Sequence, residues 1–146
     1  VSYAPFPWKV EEANQKYRRS VYVFRRRSTP YPFLSTFDVP NGESSCIKRA
    51  RSNTPLQALM TLNETLSLEA AEHLAKRMSE SGKGDDKAAI AHGFHLCTSR
   101  QPTVKESRVL LSLLNQQRAN TAPDTLAPMT TVARALLNLD ETITKE

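Results

Sequence analysis

Two arginines, Arg49 and Arg51, stand directly before a helix-start signal, Thr54-Pro55-Leu56-Gln57. A helix N-terminus presents unpaired backbone N–H groups and the positive end of the helix dipole, so cationic side chains there are disfavoured unless an anion is close. That anion could be a carboxylate of the fold itself, Asp38 or Glu43, which is the simpler reading. It could instead be external, held by Arg49 and Arg51 with the helix start at Thr54 and Gln57.

Other residues of chemical interest carry weaker patterns. His92 and His95, three apart on one helix, could supply two metal ligands, but no third is indicated and His73 stands alone, so no metal site is assigned. Lys16, Arg18, Arg19, Arg25, Arg26 and Arg27, interleaved with Tyr17, Tyr22 and Tyr31, have the composition of a polyanion-binding face. A solvated helix back is the simpler account of them, and specific nucleic-acid binding is not favoured. No G-x-S-x-G elbow and no Gly-rich phosphate loop with its lysine occur, and four glycines leave little to shape tight catalytic turns. No catalytic residue is assigned. The two cysteines, Cys46 and Cys97, could form a disulfide, be two buried thiols, or carry no particular role. Neither sits in a C-x-x-C-H context, so no haem or other cofactor is expected on this chain.

The elements that would position these residues are helical. Val10, Ala13, Tyr17, Val21 and Phe24 recur at spacings of three and four, predicting a helix over roughly 10–27, with strand propensity competing at Val21-Tyr22-Val23-Phe24. Residues 28–53 hold Pro30, Pro32, Pro40 and Asn41-Gly42 and show almost no period. Phe33, Leu34, Phe37 and Val39 predict an ordered arm pinned against a surface.

Thr54 to Gln57 is a capping box with proline at the first helical position. The stripe Leu56, Leu59, Met60, Leu66, Leu74, Met78 predicts a core face running to Gly82, with a break near Asn63 capped by Asn63 or Thr65. A further helix starts at Asp85 or Asp86 and carries Ala89, Ile90, Phe94 and Cys97. Thr103-Val104-Lys105-Glu106 repeats the capping box ahead of Leu110, Leu111, Leu113 and Leu114. The last helix turns Val132, Ala133, Leu136, Leu137 and Leu139 inward. The expected architecture is all-α: an irregular bundle of about five helices with a long ordered Pro-rich arm between the first two.

A chain of 146 residues, 39% apolar, fits one domain over 1–146, divided into 10–53 (N-terminal helix and arm) and 54–146 (helical core). The formal charge of +5 speaks to encounter with anionic partners rather than to fold. No apolar run approaches the ~18 residues that span a bilayer, and the first residues do not read as a signal peptide. The expectation is a C-terminal fragment of a longer polypeptide.

Tyr17-Arg18-Arg19-Ser20-Val21-Tyr22-Val23-Phe24, Thr36-Phe37-Asp38-Val39-Pro40, Cys46, Arg49, Arg51, Asn53-Thr54-Pro55-Leu56-Gln57-Ala58-Leu59 with Leu62-Asn63, Ser99-Arg100-Gln101-Pro102-Thr103 and Leu136-Leu137-Asn138-Leu139-Asp140-Glu141 carry a resemblance. The chain resembles a planctomycete secreted domain of unknown function that closes large exported proteins, many with a cytochrome-c-type domain near the N-terminus. It departs from that family at Lys48-Arg49-Ala50-Arg51, where relatives more often show adjacent arginines. It departs again at Thr142, where an aromatic is common and a looser last helix follows. The resemblance implies export, and a compartment in which a Cys46–Cys97 disulfide could persist. Such a bond would close a loop of about fifty residues, contributing roughly 3–4 kcal/mol if unstrained.

The function expected on this basis is a non-catalytic docking or assembly module of an exported multidomain protein, its partner the upstream part of the same polypeptide, which would also hold any haem domain. That reading predicts an exposed apolar patch near Phe33 to Val39. Two alternatives stand beside it. Arg49 and Arg51 could complete an enzyme site supplied by the upstream part, or the basic face could bind nucleic acid or an acidic polysaccharide.

Overall fold

The structure, a computed structural model, describes residues 13–23, 30–40, 42–48, 52–122 and 125–144. The chain divides into two compact units, Val1–Arg49 and Ala50–Glu146. The described residues are all-α, as expected: seven α-helices and two 3-10 turns, with no strand among them.

The first unit differs from its expectation. In place of one helix over 10–27, the described residues form two 3-10 turns, Ala13–Tyr17 and Ser20–Tyr22, separated at Arg19 by extended backbone (φ −59°, ψ 145°). The physical reason is lack of burial. Val21 and Tyr22 are 71% and 68% exposed, and a helix with no face to bury rests on propensity alone, where β-branched and aromatic residues are weak.

The arm contains a short helix, α1 (Pro32–Thr36), with proline at its first position. It ends in a Schellman arrangement: Asp38 is left-handed (φ 55°) and the Val39 N–H donates to Leu34 O at 3.1 Å. The Phe33 and Phe37 rings pair with centroids 4.8 Å apart. Phe33, Leu34, Phe37 and Val39 are all half-buried, so the apolar patch expected on this arm is only partly exposed.

The second unit holds α2 (Pro55–Asn63), α3 (Thr65–Gly82), α4 (Asp86–Thr98), α5 (Val104–Ala119), α6 (Ala127–Leu137) and α7 (Asp140–Ile143). Both capping boxes form. Thr54 Oγ1 accepts from the Gln57 N–H (3.3 Å) while Gln57 Oε1 accepts from the Thr54 N–H (3.1 Å). Thr103 Oγ1 accepts from the Glu106 N–H (3.3 Å), and Glu106 Oε2 accepts from the Thr103 N–H (2.7 Å). The break between α2 and α3 falls at Asn63-Glu64, but Glu64 is the cap rather than Asn63 or Thr65. Its Oε2 accepts from the N–H groups of Leu66 (2.7 Å) and Ser67 (3.2 Å), and a carboxylate adds to the hydrogen bonds a favourable charge against the helix dipole. Asp85 caps α4 by accepting from the Lys87 N–H at 2.9 Å.

The core lies among α3, α4, α5 and α6. Ala71, Leu74, Ala75 and Met78 of α3 meet Ala89, Ile90, Phe94 and Cys97 of α4, with Leu110 and Leu114 of α5 and Met129, Val132, Ala133 and Leu136 of α6. Leu111, Leu113, Leu137 and Leu139 pack around its edge. Only the α2 part of the predicted stripe is turned. Leu56 and Leu59 are 55% and 58% exposed and Gln57 is 1% exposed. Once Gln57 faces inward, the residues one before and two after it are rotated about 100° and about 160° away from it on a 3.6-residue helix.

The backbones of α3 and α4 approach closely around a reversal in which Lys83 (φ 48°) and Gly84 (φ 94°) are left-handed. A Cβ added to Gly82, the last residue of α3, would lie 2.6 Å from Ala89 Cβ and 3.0 Å from Ala89 N. Because the obstruction includes backbone, it has little room to yield. Gly82→Ala should therefore destabilise by about 1–3 kcal/mol from overpacking, despite a helix-propensity gain of up to ~1 kcal/mol. Thermal unfolding should show a melting point lower by several degrees. Ser81→Ala, at an exposed position of the same turn, should change it little; equal behaviour of the two variants would refute the close approach.

Candidate functional site

The polar residues of the second unit converge on a seam where the start of α2, the α4–α5 turn and the α6–α7 junction meet. At one end Gln57, buried beneath α2, donates from Nε2 to Ser52 Oγ (3.0 Å) in addition to its capping bond. Asn53 Nδ2 donates to Asp140 Oδ1 (2.6 Å), Thr61 Oγ1 to Asn138 Oδ1 (2.6 Å), and Arg134 Nη2 to Leu62 O (2.7 Å). The last of these places a cation at the C-terminal end of α2, where it meets the negative end of the dipole.

At the other end Arg100 is the hub. Ser99 closes α4 in a left-handed conformation (φ 64°), its N–H donating to His95 O at 2.8 Å. That reversal aims the next side chain across the turn. The Arg100 guanidinium makes five hydrogen bonds. Nη1 and Nη2 grip Glu106 Oε2 (3.0 Å) and Oε1 (2.7 Å), Nε and Nη2 grip Glu141 Oε2 (2.8 Å) and Oε1 (2.7 Å), and Nη1 also reaches Gln101 O (3.2 Å). Its Cζ lies 4.7 Å over the ring of Phe94, a core residue. Two bidentate carboxylates and an aromatic face use the planar fork in a way a lysine could not.

The electrostatics follow from this geometry. Hydrogen bonds from Arg100, then those from the Thr103 N–H and hydroxyl, hold the Glu106 carboxyl at about 2, below its ordinary 4.5. Glu106 and then Glu141 raise the Arg100 pKa. A second bidentate pair joins the ends of α4 and α5: Arg118 Nη2 to Asp86 Oδ1 at 2.8 Å, with Nη1 to Oδ2 alongside. Asp86 raises the Arg118 pKa in turn. The Arg100 fork is filled by side chains of its own chain, which makes the seam a clamp between segments.

Of the sequence-derived candidates, Thr54 and Gln57 are brought into this seam. Arg49 and Arg51 lie outside the described residues, as do Arg25, Arg26 and Arg27. No disulfide joins Cys46 and Cys97. Cys97 is enclosed in the core and acts there as a small apolar side chain, whereas Cys46 is exposed and its Sγ donates to Lys48 O at 3.3 Å. His92 is half-buried, and His95 and His73 are exposed. No group of three or more His, Cys, Asp or Glu suited to a metal occurs among the described residues. Arg18, Arg19, Tyr17, Tyr22 and Tyr31 are exposed on broken 3-10 and loop structure, so among the described residues no single helix aligns them.

Sequence reasoning missed Arg100, Glu106 and Glu141 as a unit. Glu106 was visible as a capping residue, but its 35-residue separation from Glu141 left nothing local to pair them. The strings around Arg100 and Glu141 were visible too, without any sign that they touch. Thr142, where a looser helix end was expected, donates from Oγ1 to Leu136 O at 2.8 Å and ties α7 back to α6.

Fold and seam together define an all-α protein whose second unit is a helical core closed by a polar clamp. Residues 2–114 match the model of the family described as "PSD1: Protein of unknown function (DUF1553)", and the chain belongs to that family. No curated protein and no solved structure matches it.

A carboxyl depressed in the folded state contributes stability above its ordinary value and loses that contribution as pH falls toward the folded one. Glu106 should therefore make the urea midpoint fall between pH 4.5 and about 2. Because Arg100 and Glu106 are more than a third exposed, added salt should reduce the effect. Arg100→Gln should lower the midpoint at neutral pH and flatten its slope across that window. A slope parallel to wild type would show that Arg100 does not set the Glu106 titration.

Proposed function

We propose that this chain is a non-catalytic docking module of an exported, multidomain polypeptide and that its partner is the preceding part of the same polypeptide. The observation that carries the reading is the outer face of α2. Leu56 and Leu59 are one turn apart and more than half exposed, on a helix, Pro55–Asn63, with no charged residue. Behind them Gln57, Thr61, Asn53 and Arg134 fasten α2 and its flanks to the rest of the unit. The leucines are thus held on a fixed support. An uncharged apolar ridge of this kind favours burial against another apolar surface over contact with a polyanion. Export follows from the family resemblance, as does the idea that redox or carbohydrate-directed work belongs to neighbouring domains, and any haem would sit there.

Binding of the 146-residue chain to the separately produced preceding segment tests the reading. Burial of each leucine is worth about 1.5–3 kcal/mol, so Leu56→Glu with Leu59→Glu should weaken the complex at least ~100-fold. Both side chains are exposed in this structure, so the melting point should stay within a few degrees of wild type. Unchanged affinity, or no complex with the wild-type chain, would overturn the proposal.

A further inference from the structure

A second surface, independent of α2, lies along α5. Val104, Ser107, Arg108, Leu111, Ser112, Asn115 and Gln116 recur at helical spacing on one side of that helix, away from the Leu110 and Leu114 side that enters the core. With Pro102 at one end and Lys87 of α4, they line a groove of about 660 Å³. From Val104 to Gln116 the helix advances about 18 Å, enough for roughly 12 residues of a bound helix or five to six of an extended strand.

The groove has three features that together describe an occupant. Its apolar lining is Pro102, Val104 and Leu111, with Val104 76% exposed. Its charged lining is Lys87 and Arg108, both cationic and exposed, and neither forms an ion pair among the described residues. The carboxylates within two residues of them are engaged otherwise: Asp86 with Arg118, Glu106 with Arg100, and Asp85 in capping α4 through the Lys87 backbone N–H. The remaining lining, including Asn115 and Gln116, offers amides and hydroxyls that can bond a peptide backbone. No aromatic side chain lines the groove to stack on a sugar ring. Aliphatic contacts with unpaired cations suit an apolar side chain flanked by carboxylates better than they suit a polysaccharide.

We propose that the α5 groove, lined by Val104 and Leu111 and bordered by Lys87 and Arg108, docks an acidic amphipathic peptide segment of a partner protein. The apolar side chain enters between Val104 and Leu111, and its carboxylates meet the two cations, an arrangement that sets both orientation and salt dependence.

The test uses the intact 146-residue chain and a fluorescent peptide of about 12 residues in which leucines one turn apart are flanked by glutamates. Fluorescence anisotropy should show saturable binding that weakens between about 50 and 200 mM salt. It should fall at least ~tenfold in the Lys87→Glu/Arg108→Glu variant, and as much when the peptide glutamates become glutamine or its leucines serine. Ser112→Trp, which fills the groove without altering charge, should also abolish binding. The proposal fails if binding is absent or unsaturable, if the charge-reversed and filled variants bind as wild type does, or if alginate oligosaccharides compete as well as the peptide. That last result would make the groove a polyanion site.

Discussion

An arginine guanidinium presents its N–H donors in one rigid plane, and fixing it in one orientation requires acceptors placed to match that plane. Arg100 meets that condition by drawing on Glu106 at the start of α5, Glu141 in α7 and the carbonyl of Gln101, with the Phe94 ring against its face. The consequence is topological. A four-residue helix such as α7 (Asp140–Ile143) cannot persist on its own hydrogen bonds. Its position is defined by the clamp through Glu141, by Asn53 on Asp140, and by the Thr142 hydroxyl on Leu136 O. The clamp in turn depends on the left-handed Ser99, which ends α4 and directs Arg100 across the turn.

The same economy of apolar contact explains α2. Nine residues long, it buries only Gln57 completely, so it cannot be held by hydrophobic burial in the way α3 and α6 are. Polar bonds to the α6–α7 junction replace that burial, and each is directional, so α2 is held in one rotation about its axis. That rotation leaves Leu56 and Leu59 outward. In the core proper the constraint is different: small residues at Gly82, Ala89 and Gly93 let α3 and α4 approach closely, with Met78 and Phe94 buried between the helices.

Local signals were the legible ones. A capping box is written within four residues, so Thr54-Gln57 and Thr103-Glu106 could be read directly, as could the inward stripes of α4 and α6, whose 3.6-residue period is a property of the helix itself. The fault at Asn63 was also readable, because Thr61, Asn63 and Thr65 are weak helix formers. The predicted helix over 10–27 failed for the complementary reason. Its spacing was helical, but spacing becomes structure only when something covers the apolar face, and Val21 and Tyr22 stay exposed.

The sequence by itself determined where α2, α4 and α5 begin, that α2 gives way to a second helix near Asn63, and which residues of α3 to α6 are apolar enough to form the core. Those outcomes depend on capping and periodicity, which act over a few residues. Only the tertiary structure decided that Gln57 turns inward and its leucines out, that Arg100 closes on Glu106 and on Glu141 41 residues away, and that Lys87 and Arg108 border one groove. Each of these joins side chains whose distance is set by how whole helices pack. No local pattern encodes that distance.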